Sequence, residues 1–467
     1  MTINTYERNY WSLYFDFIDG FRILDYEGFS LPLLSHFYGL IKDNKIIISI
    51  LKLETFSDFV INKVVIESDI QKKFDSYLTT KKKVFNENKG KGKVVLHDKL
   101  LRFPYQTLKI HFKPSKTLIL KKRSTMKINT LGIPIYNLDN YLEDIKELTK
   151  FYLQKAIKTF HSYNNHPIFS NNEFQNRFLQ ELPTIINNVV AARNFLNNVP
   201  VSCLVLGSTN NSESRALALA ALEKAIPSIC MQHGIIALEF GYLPKVSTIQ
   251  AVYGQYEVDW YKQKGVTETS IKIIGHPRFD EIFTRKSLTR NQFEKQLGLN
   301  PKWKSILFIN HHEEIDIPRI IIKELLEKHH KVNIIIKPRG KSKDTKLLKQ
   351  EFPAIYLPEN LHLYDLLNNV DAVVSYQSTV ALEAMLAKKP VFIWKKNVLS
   401  STNYFASMDV FIETDPKILV STILNYFNNE KMYDNAEQKR KEFISFCYPN
   451  SKEFSGERLM KLINSFI

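Results

Sequence analysis

Ser228-Ile229-Cys230-Met231-Gln232-His233-Gly234, SICMQHG, is the stretch whose reading decides the fold. A short apolar run that stops at a histidine and a glycine predicts a buried strand with a polar tip. On its N-terminal side VSCLVLG (201–207) has the same form, and STNNSESRALALAALEKA between the two reads as a polar loop and an alanine-rich helix. Strand, helix, strand with unbroken apolar strands is the pattern of a parallel sheet covered on both faces.

Working outward, TIQAVYG (248–254) and SIKIIGHPRFD (270–280) continue the series. The polar segment TRKSLTRNQFEKQLGLNPKWK interrupts it near residue 285, and the rhythm then restarts. SILFIN, KVNIIIKPRG, DAVVSYQS and PVFIW read as strands, with PRIIIKELLEKHH, LYDLLNNV and TVALEAMLAKK as helices between them. Two parallel α/β sheets in sequence are predicted, one in residues 1–283 and one in 284–467. The final segment, 453–467, reads as a helix that packs back on the first domain. The first 150 residues, rich in aromatics, are expected to add strands to the first sheet and an elaboration of their own.

A chain of 467 residues is long for one hydrophobic core, and 44% hydrophobic with 24% charged residues is ordinary globular composition. Three cysteines, Cys203, Cys230 and Cys447, form neither a disulfide framework nor a metal-binding spacing, which points to a reducing, cytoplasmic setting. The N-terminus lacks the pattern of a signal peptide, and no apolar run approaches the roughly 18–20 residues of a spanning helix. The net charge of +16 suits a polyanion such as a phosphorylated substrate, an anionic membrane surface or nucleic acid. No zinc-finger, helix-turn-helix or RNA-binding aromatic motif accompanies the charge, so nucleic acid is not expected as a partner.

Ligands of open parallel sheets bind beyond the carboxyl ends of the strands, and the chemically notable residues fall there. Gln232, His233 and Gly234 end one strand, and His276 and Arg278 end another. In the second half Asn310 and His311 end the first strand, Lys337 and Arg339 the next, and Ser375, Gln377, Ser378 and Thr379 a third. Ser378 and Thr379 open a helix whose free N–H groups suit a phosphate. Glu383, one turn on, can accept hydrogen bonds from ribose hydroxyls. Lys337 and Arg339 suit a diphosphate. His233 is placed to take a proton from a hydroxyl near neutral pH, with Gly234 allowing close backbone approach. No residue set has the spacing of a metal site, and no cofactor is expected.

In order and spacing, QHG (232–234), GHPRFD (275–280), IIIKPRG (334–340) and SYQSTVALEA (375–384) resemble the GT-B superfamily, over a little under half of the chain. The pattern is similar to bacterial surface-carbohydrate and capsule-polymer transferases, and among them to the glycerophosphotransferases of teichoic-acid synthesis. The resemblance implies two Rossmann-like α/β domains facing across a cleft, the first binding an acceptor and the second a nucleotide donor. It puts His233 at the acceptor-activating base and Ser378, Thr379 and Glu383 at the donor's phosphates and ribose; His276 and Arg339 are expected beside His233 as further catalytic residues. Two departures stand out. His276 replaces the asparagine of GNPR, and Arg339 stands where the glycerophosphotransferases carry a histidine, which favours sugar transfer.

The resulting expectation is a metal-independent glycosyltransferase that moves a sugar from a nucleotide-activated donor to a glycan or lipid-linked acceptor. It would work in the cytoplasm or peripherally on the inner face of the membrane. Three alternatives stand beside it. The first is polyol-phosphate transfer from a CDP-activated donor. The second is a sugar-nucleotide epimerase, for which the sequence shows no convincing set of carboxylates. The third is a non-catalytic basic protein that binds nucleic acid or membrane.

Overall fold

A computed structural model describes residues 3–78, 92–123, 131–310, 316–328, 331–338, 343–358, 360–395, 402–449 and 453–467. The chain divides into two compact units, Met1–Arg278 with Glu453–Ile467, and Phe279–Lys452. No helix among the described residues is long and apolar enough to cross a membrane.

The first unit holds a seven-stranded sheet. In chain order its strands are β1 (Lys93–His97), β2 (Thr117–Lys121), β3 (Ile135–Asn137), β4 (Val201–Leu206), β5 (Ser228–Met231), β6 (Ile249–Val252) and β7 (Ile271–Ile273). In space they run β3-β2-β1-β4-β5-β6-β7, every pair parallel. The chain winds outward from β1 in one direction and resumes at β4 on the other side. The order therefore reverses between His97 and Leu206, which lie opposite each other at the carboxyl edge.

Alternation places successive side chains on opposite faces. Val94, Leu96, Cys203, Val205, Ile229 and Met231 pack in one buried cluster, and Val95, Leu118, Leu204 and Leu206 in another. The closing helix (Ser455–Asn464) covers the first face. Leu459 and Ile463 join that cluster, and Arg458 Nε donates to the Ile274 carbonyl at 2.8 Å.

The other face is covered by α1 (Thr5–Gly20), α2 (Asn172–Asn198) and α3 (Ser212–Glu223). Asn4 caps α1 by accepting from the Glu7 N–H at 2.9 Å. The helix is buried almost all round: Tyr10, Trp11, Tyr14, Phe15 and Phe17 are covered, and so are the polar Glu7, Asn9, Ser12 and Asp16. The aromatic N-terminal region is thus a helical layer over the sheet.

Arg215 of α3 ties the layers together. It is 2% exposed, and its guanidinium donates to the Thr209, Leu33 and Ser35 carbonyls at 3.0, 2.6 and 3.1 Å and to the Tyr14 hydroxyl at 3.0 Å.

The second unit holds a five-stranded parallel sheet of β8 (Lys304–Asn310), β9 (Val332–Pro338), β10 (Ala372–Tyr376), β11 (Val391–Trp394) and β12 (Ile412–Glu413). Its order, β9-β8-β10-β11-β12, reverses between β8 and β10. Helix α4 (Thr379–Leu386) leaves β10 just past that reversal.

Candidate functional site

At the reversal in the first unit, His97 ends β1 and Glu213 opens α3. His97 Nε2 lies 2.9 Å from Glu213 Oε1, both side chains being almost fully buried. The other carboxylate oxygen faces Lys99 and Lys122, each at 3.9 Å. Burial pushes the Glu213 carboxyl up, but the hydrogen bond and charge of His97 and the two lysines outweigh it and leave it below the ordinary value. Glu213 is therefore an ionised carboxylate at the sheet edge.

The loop leaving β1 carries Lys99 and Arg102 to this edge, at a conformational cost. Leu100 and Arg102 both sit at positive φ, 63° and 51°, where side chains are disfavoured. The loop lies against Gly207, where a Cβ would stand 2.3 Å from the Leu101 nitrogen and 2.6 Å from the Lys99 carbonyl. Only glycine after β4 leaves room for it.

Further along the edge, β5 delivers Gln232, His233 and Gly234. Gln232, read from the sequence as ligand-binding, is engaged by the fold itself. It is fully buried, its Nε2 donates to the Gly234 carbonyl at 2.8 Å and to Glu257 at 2.9 Å, and its Oε1 accepts from the Tyr253 N–H. Glu257 in turn accepts from the Gly254 N–H at 2.9 Å. The amide thus fixes the turn that carries His233, leaving no free face for a substrate.

His233 stacks on Tyr242, the ring centroids 5.0 Å apart and the planes at 13°. The Tyr242 hydroxyl donates to the Gly234 and Ile235 carbonyls at 3.1 and 2.8 Å, holding the turn from above. Burial first, then the charges of Arg102 and Arg278, pull the His233 imidazole from 6.5 down to about 4. This departs from the expectation of a near-neutral pKa: burial, and after it the cations beside the ring, favour its neutral form.

His276, read from the sequence as catalytic, is 1% exposed, and its Nδ1 accepts from the Arg278 N–H at 3.2 Å. Burial and then Arg278, Arg102 and His233 hold its pKa well below the usual range. Its position is that of a buried support for Arg278. The structure thus brings His233, His276 and Arg278 together and adds Arg102, which the sequence reading missed along with His97, Lys99 and Glu213. The signal was present: KVVLHDK has the form of VSCLVLG, an apolar run stopping at polar residues.

A pH dependence follows. A histidine whose folded pKa is depressed contributes stability that is present above its unfolded value of 6.5 and is lost as pH falls toward about 4. With ring-labelled histidine, the His233 resonances are expected to stay neutral from about pH 8 to about pH 5. The His233→Gln variant should lose less stability than the parent across the acid window. A His233 midpoint near 6.5 would show that neither burial nor Arg102 and Arg278 acts on it as described.

In the second unit Lys337 ends β9, and its Nζ donates to the Leu361 carbonyl at 3.0 Å, with burial lowering its pKa. Asn310 ends β8, its backbone opposite Pro338. Ser375 is buried at the end of β10, and its hydroxyl lies 3.1 Å from that of Ser378. Ser378 holds the N-cap position of α4 without bonding the helix through its side chain. Gln377, Ser378 and Thr379 are half-buried and Glu383 is buried at 5% exposure. His311 and Arg339 lie outside the described residues.

No known protein-family profile matches the chain. Over 289 residues it is 25% identical to UDP-N,N'-diacetylbacillosamine 2-epimerase (hydrolyzing) of Legionella pneumophila, spanning 58% of this chain and 72% of that protein. Over 167 residues it is 28% identical to lipid-A-disaccharide synthase of Nitrosococcus oceani, spanning 33% and 41%.

Among solved structures, it superposes on the UDP co-structure of S. aureus MnaA with a TM-score of 0.51 at 11% identity, covering 80% of this chain and 98% of that one. A Listeria monocytogenes protein assigned as UDP-N-acetylglucosamine 2-epimerase gives 0.52 at 13% identity, covering 80% and 96%. At such identities the likeness speaks for fold. The two doubly wound, parallel α/β units are a GT-B fold.

Proposed function

We propose that this chain acts on a nucleotide-activated sugar and breaks the bond between its anomeric carbon and the diphosphate, in the manner of a sugar-nucleotide 2-epimerase. The observation that carries the reading is the place of the His233 imidazole, stacked on Tyr242 at the carboxyl edge of the first sheet with Arg102 and Arg278 close enough to act on its charge. The two cations weaken the imidazole as a base in the free protein, and a bound diphosphate would offset their charge, so that the proton acceptor strengthens when the leaving group is in place. The ionised Glu213 at the same edge supplies the carboxylate that the sequence reading did not find. The 2-epimerase relative supports the same reading.

His233 takes the proton from C2, the C–H electron pair becomes a C1=C2 double bond, and the C1–O bond leaves with its electrons on the phosphate. Arg102 and Arg278 offset the charge that develops there. Water then adds across the double bond, hydroxyl to C1 and hydrogen to the opposite face of C2, releasing the epimeric sugar. The Ser375–Thr379 segment at the β8–β10 reversal is the place for the nucleotide, where the N–H groups of α4 favour an anion.

Glycosyl transfer is the second reading, supported by the lipid-A-disaccharide synthase match. There His233 would take a proton from an acceptor hydroxyl rather than from carbon.

The two readings differ in one proton. Incubated with UDP-N-acetylglucosamine and related UDP-, GDP-, CMP- and CDP-sugars in D2O, the protein is expected to place deuterium at C2 of one of them. Turnover only with an added acceptor and no deuterium at C2 would favour transfer. No turnover, with no nucleotide raising the melting temperature, would overturn both.

A further inference from the structure

The segment 53–66 lies outside any chemistry described so far. Its inward contacts are complete: Phe56, Val60 and Val64 are buried, while Asp16 accepts from the Ile61 and Asn62 N–H groups at 2.8 Å and Ser12 Oγ accepts from the Val64 N–H at 2.9 Å. The same segment turns Leu53, Phe59, Ile61, Val65 and Ile66 outward, Ile61 85% and Val65 74% exposed. Scattered exposed apolar side chains are ordinary, but five within one short anchored segment form a patch that folding does not require.

The charges around the patch are unequal once internal pairs are removed. Asp43 faces Arg177 at 3.6 Å, which also holds Glu173; Glu54 pairs with Arg8, buried Lys264 holds both Glu67 at 3.0 Å and Glu239, and Asp69 pairs with Lys72 at 3.5 Å. Lys42, Lys45, Lys52 and Lys63 are exposed and have no carboxylate partner among the described residues, whereas Asp58 is the one exposed acid of the segment without a cation partner among them. Apolar side chains interleaved with unpaired lysines match an interface of acyl chains below anionic headgroups.

We infer that residues 53–66, flanked by these lysines, dock the protein on an anionic phospholipid bilayer, Phe59, Ile61 and Val65 entering the headgroup–acyl boundary. This holds whichever reaction the first sheet edge performs.

The full-length chain is tested by co-sedimentation with vesicles of phosphatidylglycerol and phosphatidylcholine in equal parts, and of phosphatidylcholine alone. The parent is expected to sediment with the anionic vesicles, less so as salt is raised, and to stay in solution with the neutral ones. Ile61→Asp with Val65→Asp should weaken binding by roughly tenfold or more. Lys52→Glu with Lys63→Glu should weaken it similarly. Ile110→Asp, at another exposed apolar site, should bind as the parent does.

Unchanged melting temperatures would show that these variants are folded. Three results would overturn the inference. The parent could fail to bind anionic vesicles, or the Ile61/Val65 variant could bind undiminished. Alternatively, a parent dimer could become monomeric in that variant without binding lipid, which would assign the patch to a second copy.

Discussion

Arg215→Met is expected to destabilise the first unit by about 3–5 kcal/mol, read as a lower midpoint in urea or thermal unfolding. Methionine fills much of the arginine's volume, so the loss would come from hydrogen bonds rather than a cavity. The Thr209, Leu33 and Ser35 carbonyls and the Tyr14 hydroxyl all receive N–H groups from this one guanidinium. Tyr14 still donates to the Leu33 carbonyl at 3.1 Å, so part of the network survives. Water cannot replace the rest without opening the layer formed by α1 and α3.

Arg123→Met makes the contrast. That guanidinium is 80% exposed beside Asp139, and its loss should shift stability by no more than about 0.5 kcal/mol. Equal effects from the two substitutions would show that Arg215 is not the tie described.

His233→Gln is expected to lower turnover by about 10²–10⁴-fold, the usual size of a lost proton acceptor. The amide keeps polarity and approximate shape but cannot take up a proton. Nucleotide binding, followed by melting-temperature shift, should be nearly unchanged, because the second unit's edge is untouched. The effect belongs in kcat rather than KM. Turnover within a few-fold of the parent would remove His233 from the reaction. Loss of nucleotide binding together with turnover would instead make it a binding residue.

The two predictions rest on residues of different legibility. His233 could be found from SICMQHG alone, because an imidazole at the end of a short apolar strand is a local pattern. Arg215 could not. Within ESRALALAALEKA it reads as one more charge on a surface helix, and nothing nearby says that Tyr14, Leu33 and Ser35 will close over it. Lys99 and Arg102 were hidden for a related reason, and so was the meeting of Glu213 with His97. Their strand, KVVLHDK, lies beyond the aromatic N-terminal helices, and its pairing with β4 depends on a partner about a hundred residues away. Gln232 shows the opposite error: a polar residue at a strand end looked available, and the fold turned it inward to Glu257 and the Gly234 carbonyl.

By itself the sequence determined the alternation of strands and helices, the division into two parallel sheets and the polar residues at their carboxyl ends. These follow from periodicity and short-range turn chemistry, which act within a few residues. The tertiary structure alone decided which of those residues share a neighbourhood, which are buried among their own partners, and the protonation of His233. Burial and the fields of Arg102 and Arg278 depend on distances through space, and neighbours in the chain do not fix them.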